Sequence, residues 1–581
     1  MSVILAETAG FCMGVKRAVD MVLDIAQRKG KANIYTYGPL IHNPQTVELL
    51  RNRGVIPISS LDEIPDSEQG ATLVIRAHGI SPDERKKIRE KGVRIIDATC
   101  PKVAHVQAII KKHARKDDTI LIIGDEKHPE VMGLMGYAYG KGLIVNSLND
   151  VARLPDLERA CVVAQTTQNI DQFNEMVAAL RERFADVVVF DTICESTDKR
   201  QSEIKNMAAH ADAVVVVGGK NSANTMQLAR LSEQAGTPTF HIETVDELKT
   251  IPIDRYGRVG VSAGASTPNW IIERVVDHLA ARQEDSDARF MGLFRAWVFT
   301  VRTDLYSAFG AGCLSWVSML LLGLPIRPTN ILTAAFYVYA MHTLNRFMSR
   351  KKDAILGSFR EASYLKHKRL YPVIAVAALL LAWAGAFLAG PAPFIMLFLM
   401  SLLGVLYHLR VLPQGWRFRS LKDIPGSKNI SMALAWAAVA AVLPWIETKL
   451  SVSPALIVAF LFTFSIVFMR SALSDIMDIQ SDRLIGRETI PVLIGEEKTR
   501  LLVQGISAAL MILLVLAYAA DWSSSLSLVL LICIFYVWIC FKLCDRRSAI
   551  SAVVLEGLLE TNHVIAGIGA SVWLQATGWM K

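Results

Sequence analysis

The chain has 581 residues, a formal net charge of +8 and 52% hydrophobic residues; that length exceeds one ordinary domain. The average hides two regimes, one up to about Leu279 with interspersed charges and short apolar runs, and one from about Gly310 with long apolar stretches between short basic loops. Much of the excess positive charge lies in those loops, where cytoplasmic orientation demands it; no RNA- or DNA-binding motif occurs, which excludes nucleic acid as a partner.

The N-terminus lacks the basic region, apolar stretch and small-residue cleavage site of a secretory leader, so the first half is expected in the cytoplasm, where disulfides are rare. Its cysteines, Cys12, Cys100, Cys161 and Cys194, are then expected as ligands, nucleophiles or packing residues. Three fall at nearly equal intervals, 88 residues from Cys12 to Cys100 and 94 from Cys100 to Cys194. Each stands where a helical pattern begins. Val15, Ala18, Val19, Val22 and Ile25 form an apolar stripe after Cys12, Pro101 follows Cys100 as a favoured first helical residue, and a polar helical run follows Cys194. A helix N-terminus favours the thiolate that metals require.

Polar loops recur in register with these cysteines. Gly38-Pro-Leu-Ile-His42-Asn-Pro, Gly124-Asp-Glu-Lys-His128-Pro-Glu130 and Gly219-Lys-Asn-Ser222-Ala-Asn224 each follow a β-rich run; further on come Arg76-Ala-His78-Gly, Gln165-Thr166-Thr167 and Ser262-Ala-Gly-Ala-Ser266. The repetition predicts an α/β fold of three lobes around a pseudo-threefold axis, with thiolates and polar loops converging at the strands' carboxyl ends. Three thiolates from three lobes match an iron–sulfur cubane with one iron left open. Zinc is the competitor, but its sites usually carry closely spaced cysteine pairs, and no C-x-x-C occurs. His42, His78, His128, Ser222, Asn224 and Ser266 are donors suited to a diphosphate, and neither a P-loop nor a G-x-G-x-x-G is present. Any one of the histidines alone is more often a structural residue; their recurrence in register argues for a site. Glu130, which closes the second of these loops two residues after His128, is the expected proton donor.

The segments Gly10-Phe-Cys12-Met-Gly-Val-Lys-Arg, Gly38-Pro-Leu-Ile-His42-Asn, Arg76-Ala-His78-Gly, Asp97-Ala-Thr-Cys100-Pro, His128-Pro-Glu130, Gln165-Thr-Thr167, Asn221-Ser-Ala-Asn224 and Ala263-Gly-Ala-Ser266 resemble, in order, the 4-hydroxy-3-methylbut-2-enyl diphosphate reductase (LytB/IspH) family over roughly residues 1–280. The resemblance implies a [4Fe–4S] cluster on Cys12, Cys100 and Cys194, with the fourth iron taking the substrate's allylic hydroxyl. It implies Glu130 as proton source, oriented by Thr166 or Thr167, and a diphosphate held by the three histidines, Ser222, Asn224 and Ser266. Ala223 stands where many relatives carry a second serine, and its backbone N–H is expected to make that contact. Reductive dehydroxylation to isopentenyl and dimethylallyl diphosphates, fed by a donor such as ferredoxin or flavodoxin, is the implied reaction. Cys161 has no counterpart in the repeat and is expected to pack.

The acidic segment Gln283-Glu-Asp-Ser-Asp287 opens a predicted linker over 283–300, which separates a reductase-like domain (1–282) from a membrane domain (301–581). An all-α membrane domain of about nine spans is expected, near 308–324, 329–348, 371–389, 392–409, 429–446, 454–473, 501–519, 524–543 and 551–574. The last, with Glu556, Glu560 and His563, is the weakest. Basic loops follow every second span (Arg350-Lys-Lys352; Arg417, Arg419 and Lys422; Arg483 and Arg487; Lys542, Arg546 and Arg547). The positive-inside rule therefore predicts an inner-membrane protein with its N-terminus in the cytoplasm and its C-terminus outside.

Asp475, Asp478 and Asp482 are spaced to share one helix face, and grouped carboxylates need a cation, for which Mg²⁺ bridging a diphosphate is the usual solution. With Gly486-Arg-Glu-Thr489-Ile-Pro491, this loop resembles the second Asp-rich motif of the UbiA prenyltransferase superfamily. The family's first motif, N-D-x-x-D-x-x-x-D, is reduced to Asn345 and Asp353, with Arg346 and Ser349 replacing two carboxylates. Tyr407, Arg419 and Lys422 are further candidates. Two readings of this half follow: a prenyl-transferring enzyme, favoured by the intact second motif, or a noncatalytic anchor or lipid-binding module, favoured by the degraded first.

Overall fold

Residues from opposite ends of the first half pair as neighbouring strands in the computed structural model, Ser2 beside Arg258 through Leu5 beside Val261. The structure describes residues 2–29, 33–65, 71–281, 290–353, 370–409, 413, 420–448, 451–485, 487–545 and 552–578. It divides into two units, Met1–Glu284 and Asp285–Lys581.

Among the described residues the first unit holds twelve strands: β1 (Ser2–Leu5), β2 (Ile34–Tyr37), β3 (Val55–Ile58), β4 (Thr72–Ile75), β5 (Arg94–Asp97), β6 (Thr119–Ile123), β7 (Gly142–Val145), β8 (Ala160–Ala164), β9 (Val187–Val189), β10 (Ala213–Val217), β11 (Thr239–Ile242) and β12 (Arg258–Ala263). They form three four-stranded sheets, ordered β3-β2-β4-β5, β7-β6-β8-β9 and β11-β10-β12-β1. The pairings are parallel. The three expected lobes are therefore present, and all three have the same strand order. The N-terminal strand fills the fourth place of the third lobe, which closes the repeat.

Parallel strands covered by helices on both faces read as continuous apolar runs. β10 (Ala-Val-Val-Val-Val) is buried throughout, and its branched side chains suit the pleat. In β6 and β8, Leu121, Ile123, Val162 and Ala164 pack on one face. Ile120, Ile122, Cys161 and Val163 pack on the other. Cys161 is thus a core residue, and burial pushes its thiol up to about 12. Helices begin at side-chain caps, Asn43, Ser81, Asn169 and Ser222 among them, each accepting a backbone N–H of the first turn.

In the second unit, each of the nine apolar segments falls on a helix or helical pair among the described residues: Leu305–Leu321, Pro328–Asp353, Leu370–Ala389, Pro391–Leu406, Ser427–Thr448, Pro454–Met477, Glu496–Ala519, Leu526–Cys544 and Ala552–Thr577. Five of these are long and apolar enough to cross a bilayer. Leu305–Leu321 and Pro391–Leu406 are apolar but shorter. In Leu370–Ala389 the buried residues are Ala375, Ala378, Ala382 and Ala386. Val373, Phe387 and Leu388 are exposed. Small residues inward and large apolar ones outward is the pattern of a helix packed in lipid. The stretch expected as a linker is helical from Phe290 to Arg302, and Trp297 lies over Gly557.

Candidate functional site

Equivalent positions of the three lobes carry the polar residues. The fifth residue after the first strand of each lobe is His42, His128 or Ser222, and the seventh is Pro44, Glu130 or Asn224. The third residue after the third strand is His78, Thr167 or Ser266. After the fourth strand come Cys100, Cys194 and Cys12, each just before a helix. Their backbone N–H groups make the same bond in every lobe, to the carbonyl two residues past the third strand: Cys100 to Ala77 O (2.9 Å), Cys194 to Thr166 O (2.9 Å) and Cys12 to Ala265 O (3.1 Å). Three thiols are thereby presented by three equivalent backbone hooks.

All three are free thiols. The Val15 N–H donates to Cys12 Sγ at 3.4 Å. Burial pushes the Cys100 thiol up against the N–H groups of Lys102 and Val103, which favour its thiolate, while Cys12 and Cys194 add like charge. Gly14 keeps the space between sulfurs open: a Cβ there would stand 2.7 Å from Cys100 Sγ and 4.0 Å from Cys12 Sγ. Among the described residues, no group of three His, Cys, Asp or Glu side chains is arranged to hold a single metal ion. Facing thiols with a side-chain-free gap between them fit a larger, multi-iron group.

The histidines form a chain of ring contacts. His42 and His78 have ring centroids 5.3 Å apart, and His78 meets His128 edge-on at 5.3 Å. Burial, then the Arg76 charge, lowers the pKa of His42. Burial first, and then His42, His128 and Arg76, holds His78 well below its usual value. His128 is pushed down to about 4 by burial and His42, against the opposing pull of Asp125. The Glu130 N–H donates to His128 Nδ1 at 3.2 Å, so the ring proton sits on Nε2, a donor. His42 Nε2, His78 Nδ1 and Asn224 Nδ2 are buried without a hydrogen-bond partner among the described residues, a cost that a bound polar ligand removes. Ser222 and Ser266 bring their Oγ atoms within 3.5 Å of each other, and Ala223 opens the adjacent helix.

Glu130 is 1% exposed. Thr166 holds it through both its N–H (2.7 Å) and its Oγ1 (2.9 Å). Burial nonetheless raises its pKa to about 6. Thr167 instead accepts from Gln165 Nε2 at 2.9 Å, so of the two threonines it is Thr166 that holds the Glu130 carboxyl. Arg76 was not singled out from the sequence, yet its guanidinium lies under the Gly38 turn, where a Cβ would meet Nη1 at 2.3 Å.

In the second unit the three aspartates stay near one another across a break in the helix. The helix Pro454–Met477 ends at Asp478, so Asp475, Asp478 and Asp482 do not lie on one continuous helix. Asp475 accepts from Lys428 Nζ (2.6 Å) and Asn429 Nδ2 (2.8 Å). Asp482 faces Arg487 at 3.5 Å. Asn345 lies in Pro328–Asp353; its neighbour Arg346 pairs with buried Asp304 at 2.7 Å. The Asp353 side chain and Arg419 lie outside the described residues. Tyr407 bonds Ser427 Oγ at 3.0 Å, and Lys422 N–H donates to Tyr407 O at 3.2 Å. Sequence reasoning missed Arg470, which pairs with Glu556 and Glu560 and so explains two acids in an apolar helix. Ser307 donates to Glu560 at 2.6 Å.

The family model for LytB protein matches residues 3–280. The Aquifex aeolicus 4-hydroxy-3-methylbut-2-enyl diphosphate reductase is 42% identical over 278 residues, 47% of this chain and 94% of its own length. The chain belongs to the LytB family. The LytB unit is accordingly an oxidoreductase. The Plasmodium falciparum reductase structure is also similar, at 30% identity, a TM-score of 0.46, and coverage of 48% of this chain and 88% of that one. The UbiA prenyltransferase family model matches residues 305–555, so the LytB unit is followed by a UbiA-family domain. A UbiA homologue from Aeropyrum pernix is 14% identical, with a TM-score of 0.36 over 46% of this chain and 98% of its own.

Proposed function

We propose that the first unit converts 4-hydroxy-3-methylbut-2-enyl diphosphate to isopentenyl and dimethylallyl diphosphates: two electrons and two protons enter, the allylic C–O bond breaks and water leaves. Cys12, Cys100 and Cys194 would hold a [4Fe–4S] cluster. Such a cluster, when bound, supplies an open Lewis-acidic iron for the allylic oxygen and the route for electrons from a ferredoxin- or flavodoxin-like donor. His42, His78, His128, Ser222, Asn224, Ser266 and the Ala223 N–H grip the diphosphate. Glu130, whose pKa burial raises to about 6 and which Thr166 fixes, carries the proton that the leaving oxygen takes; Thr167 helps to shape the same corner. The reading rests on one observation: three cysteines on equivalent backbone hooks, in the unit whose equivalent loops carry buried donors without partners among the described residues. Anaerobically purified full chain should be brown and oxygen-sensitive, and contain iron and sulfide. Cys12→Ser, Cys100→Ser or Cys194→Ser should abolish turnover, and Cys161→Ser should not. A colourless, air-stable, active protein overturns the cluster assignment.

For the second unit the reading is a multi-pass inner-membrane domain, with the reductase on the cytoplasmic side and the C-terminus outside, that binds a prenyl diphosphate for transfer. Asp475, Asp478 and Asp482 would act with Mg²⁺, and Asn345 and Asp353 would contribute what remains of the first motif. Occupation of Asp475 by Lys428 and Asn429, and of Asp304 by Arg346, favours the second reading, a noncatalytic anchor. Binding of a long-chain prenyl diphosphate to the full chain in bilayer discs separates the two. A Mg²⁺-dependent component weakened by Asp478→Asn and by Arg346→Ala supports transfer; binding indifferent to all three supports the anchor.

A further inference from the structure

The helix Glu195–His210 carries Cys194 at its N-cap and, one and a half turns on, Arg200. Arg200 is 4% exposed. Its guanidinium reaches across to the loop before Cys12, where Nη2 donates to Gly10 O at 2.5 Å; Nη1 bonds the Ser196 hydroxyl and, at 3.4 Å, the Ser196 carbonyl. The Gly10 carbonyl is itself fixed. At φ +110 only glycine sits easily, and a Cβ would strike Asn269 Oδ1 at 2.4 Å. On the same helix Glu203 accepts the backbone N–H of Thr8 at 3.0 Å, so two side chains pin the Cys12 loop to the Cys194 helix. Arg17 makes the companion tie, to Thr99 O beside Cys100, at 2.9 Å.

Geometry alone does not require a cation at position 200. The equivalent positions of the other two lobes, six residues past each cysteine, are Ala18 and Val106. The groups whose negative charge would favour the Arg200 cation are Cys12, Cys194 and Glu203. Its Nε is buried without a partner among the described residues. One lobe of a threefold site therefore holds a buried permanent cation between the loop that leads into Cys12 and the helix that Cys194 caps. Arginine cannot shed its charge to relieve burial, so its cost is offset by its bonds to the Gly10 and Ser196 carbonyls and by negative charge nearby.

We propose that Arg200 sets the reduction potential of the group held by the three cysteines, raising it by placing a fixed positive charge beside Cys12 and Cys194. The inference rests on the cluster reading given above. Each electron received adds one negative charge to the group, and a fixed cation in a low-dielectric setting favours the more negative state. Arg200 is thus a positioning residue that acts through the sulfurs without touching substrate.

The test is redox titration of anaerobic full chain with dithionite and mediators, followed by visible absorption and EPR, for wild type, Arg200→Met and Arg200→Lys. Iron and sulfide are measured on each sample. The expected result is a loaded Met variant whose midpoint lies lower by at least a tenfold loss in the one-electron equilibrium, about 59 mV, with most of the potential returned by Lys. A Met variant without iron beside a loaded Lys variant of near-wild-type potential also supports the charge. Equal potentials in wild type and Met overturn it, as do two iron-free but folded variants, or a Lys variant that falls as far as Met. Wild type without iron and sulfide overturns the cluster reading itself, a result distinct from all of these.

Discussion

Replacing Glu130 by Gln tests the proton donor with little structural disturbance. The carboxyl accepts two bonds from one residue, Thr166 N–H and Thr166 Oγ1–H. A glutamine can keep both places, its carbonyl taking the N–H and its NH₂ donating to Oγ1, whose own hydrogen turns away. The cost in stability should therefore stay below about 1 kcal/mol, whereas Glu130→Ala strands a buried N–H at about 1–3 kcal/mol. Function should separate the other way. Loss of a positioned acid lowers turnover by about 10²- to 10⁴-fold, or roughly 3–5 kcal/mol of barrier. With a pKa of about 6, about a tenth of Glu130 is protonated at pH 7, so wild-type kcat/KM should fall as pH rises above 6. The same shift bears on stability. Burial raises this group from 4.5 to about 6, so its contribution is full below pH 4.5 and is lost as pH rises through 6. That loss, about 2 kcal/mol, should be missing from the glutamine variant. The assay is anaerobic turnover with reduced methyl viologen as donor, with isopentenyl and dimethylallyl diphosphates quantified by mass spectrometry across pH 5.5–8.5. Glutamine turnover within about threefold of wild type, far short of the loss expected of an acid, or an unchanged falling limb, would refute the role of Glu130.

Gly14→Ala places a methyl 2.7 Å from Cys100 Sγ, so iron per chain after anaerobic reconstitution should drop well below wild type while far-UV circular dichroism is unchanged; full loading would show the gap to be dispensable. Burial keeps His42, His78 and His128 neutral in the free protein. An arriving diphosphate favours their charged forms, so binding should take up protons and weaken as pH rises from 6 to 8. Calorimetry in buffers of different ionisation enthalpy reads that uptake directly, and a buffer-independent heat would contradict it.

The chemistry of the first unit is legible in its sequence because the residue types that carry it are scarce and punctuated. Cysteines recur at a fixed interval, and histidines and serines sit at set distances after β-rich runs. Strand-loop-helix order is local, and local pattern is what a linear chain displays. The apolar segments of the second unit were legible for the same reason, since length and composition suffice. Tertiary structure alone decided the partners. β1 joins β12 across the whole first unit, which brings Cys12 to the fourth-strand place held elsewhere by Cys100 and Cys194. Thr166 rather than Thr167 holds Glu130, across 36 residues. Arg200 meets the Gly10 carbonyl across 190 residues, and Lys428 takes Asp475 across 47. Such pairs are fixed by which loops the sheets and helices carry to one point. Nothing in the local spacing of a charged residue announces its partner, because the energy that pairs them exists only after distant apolar faces have packed.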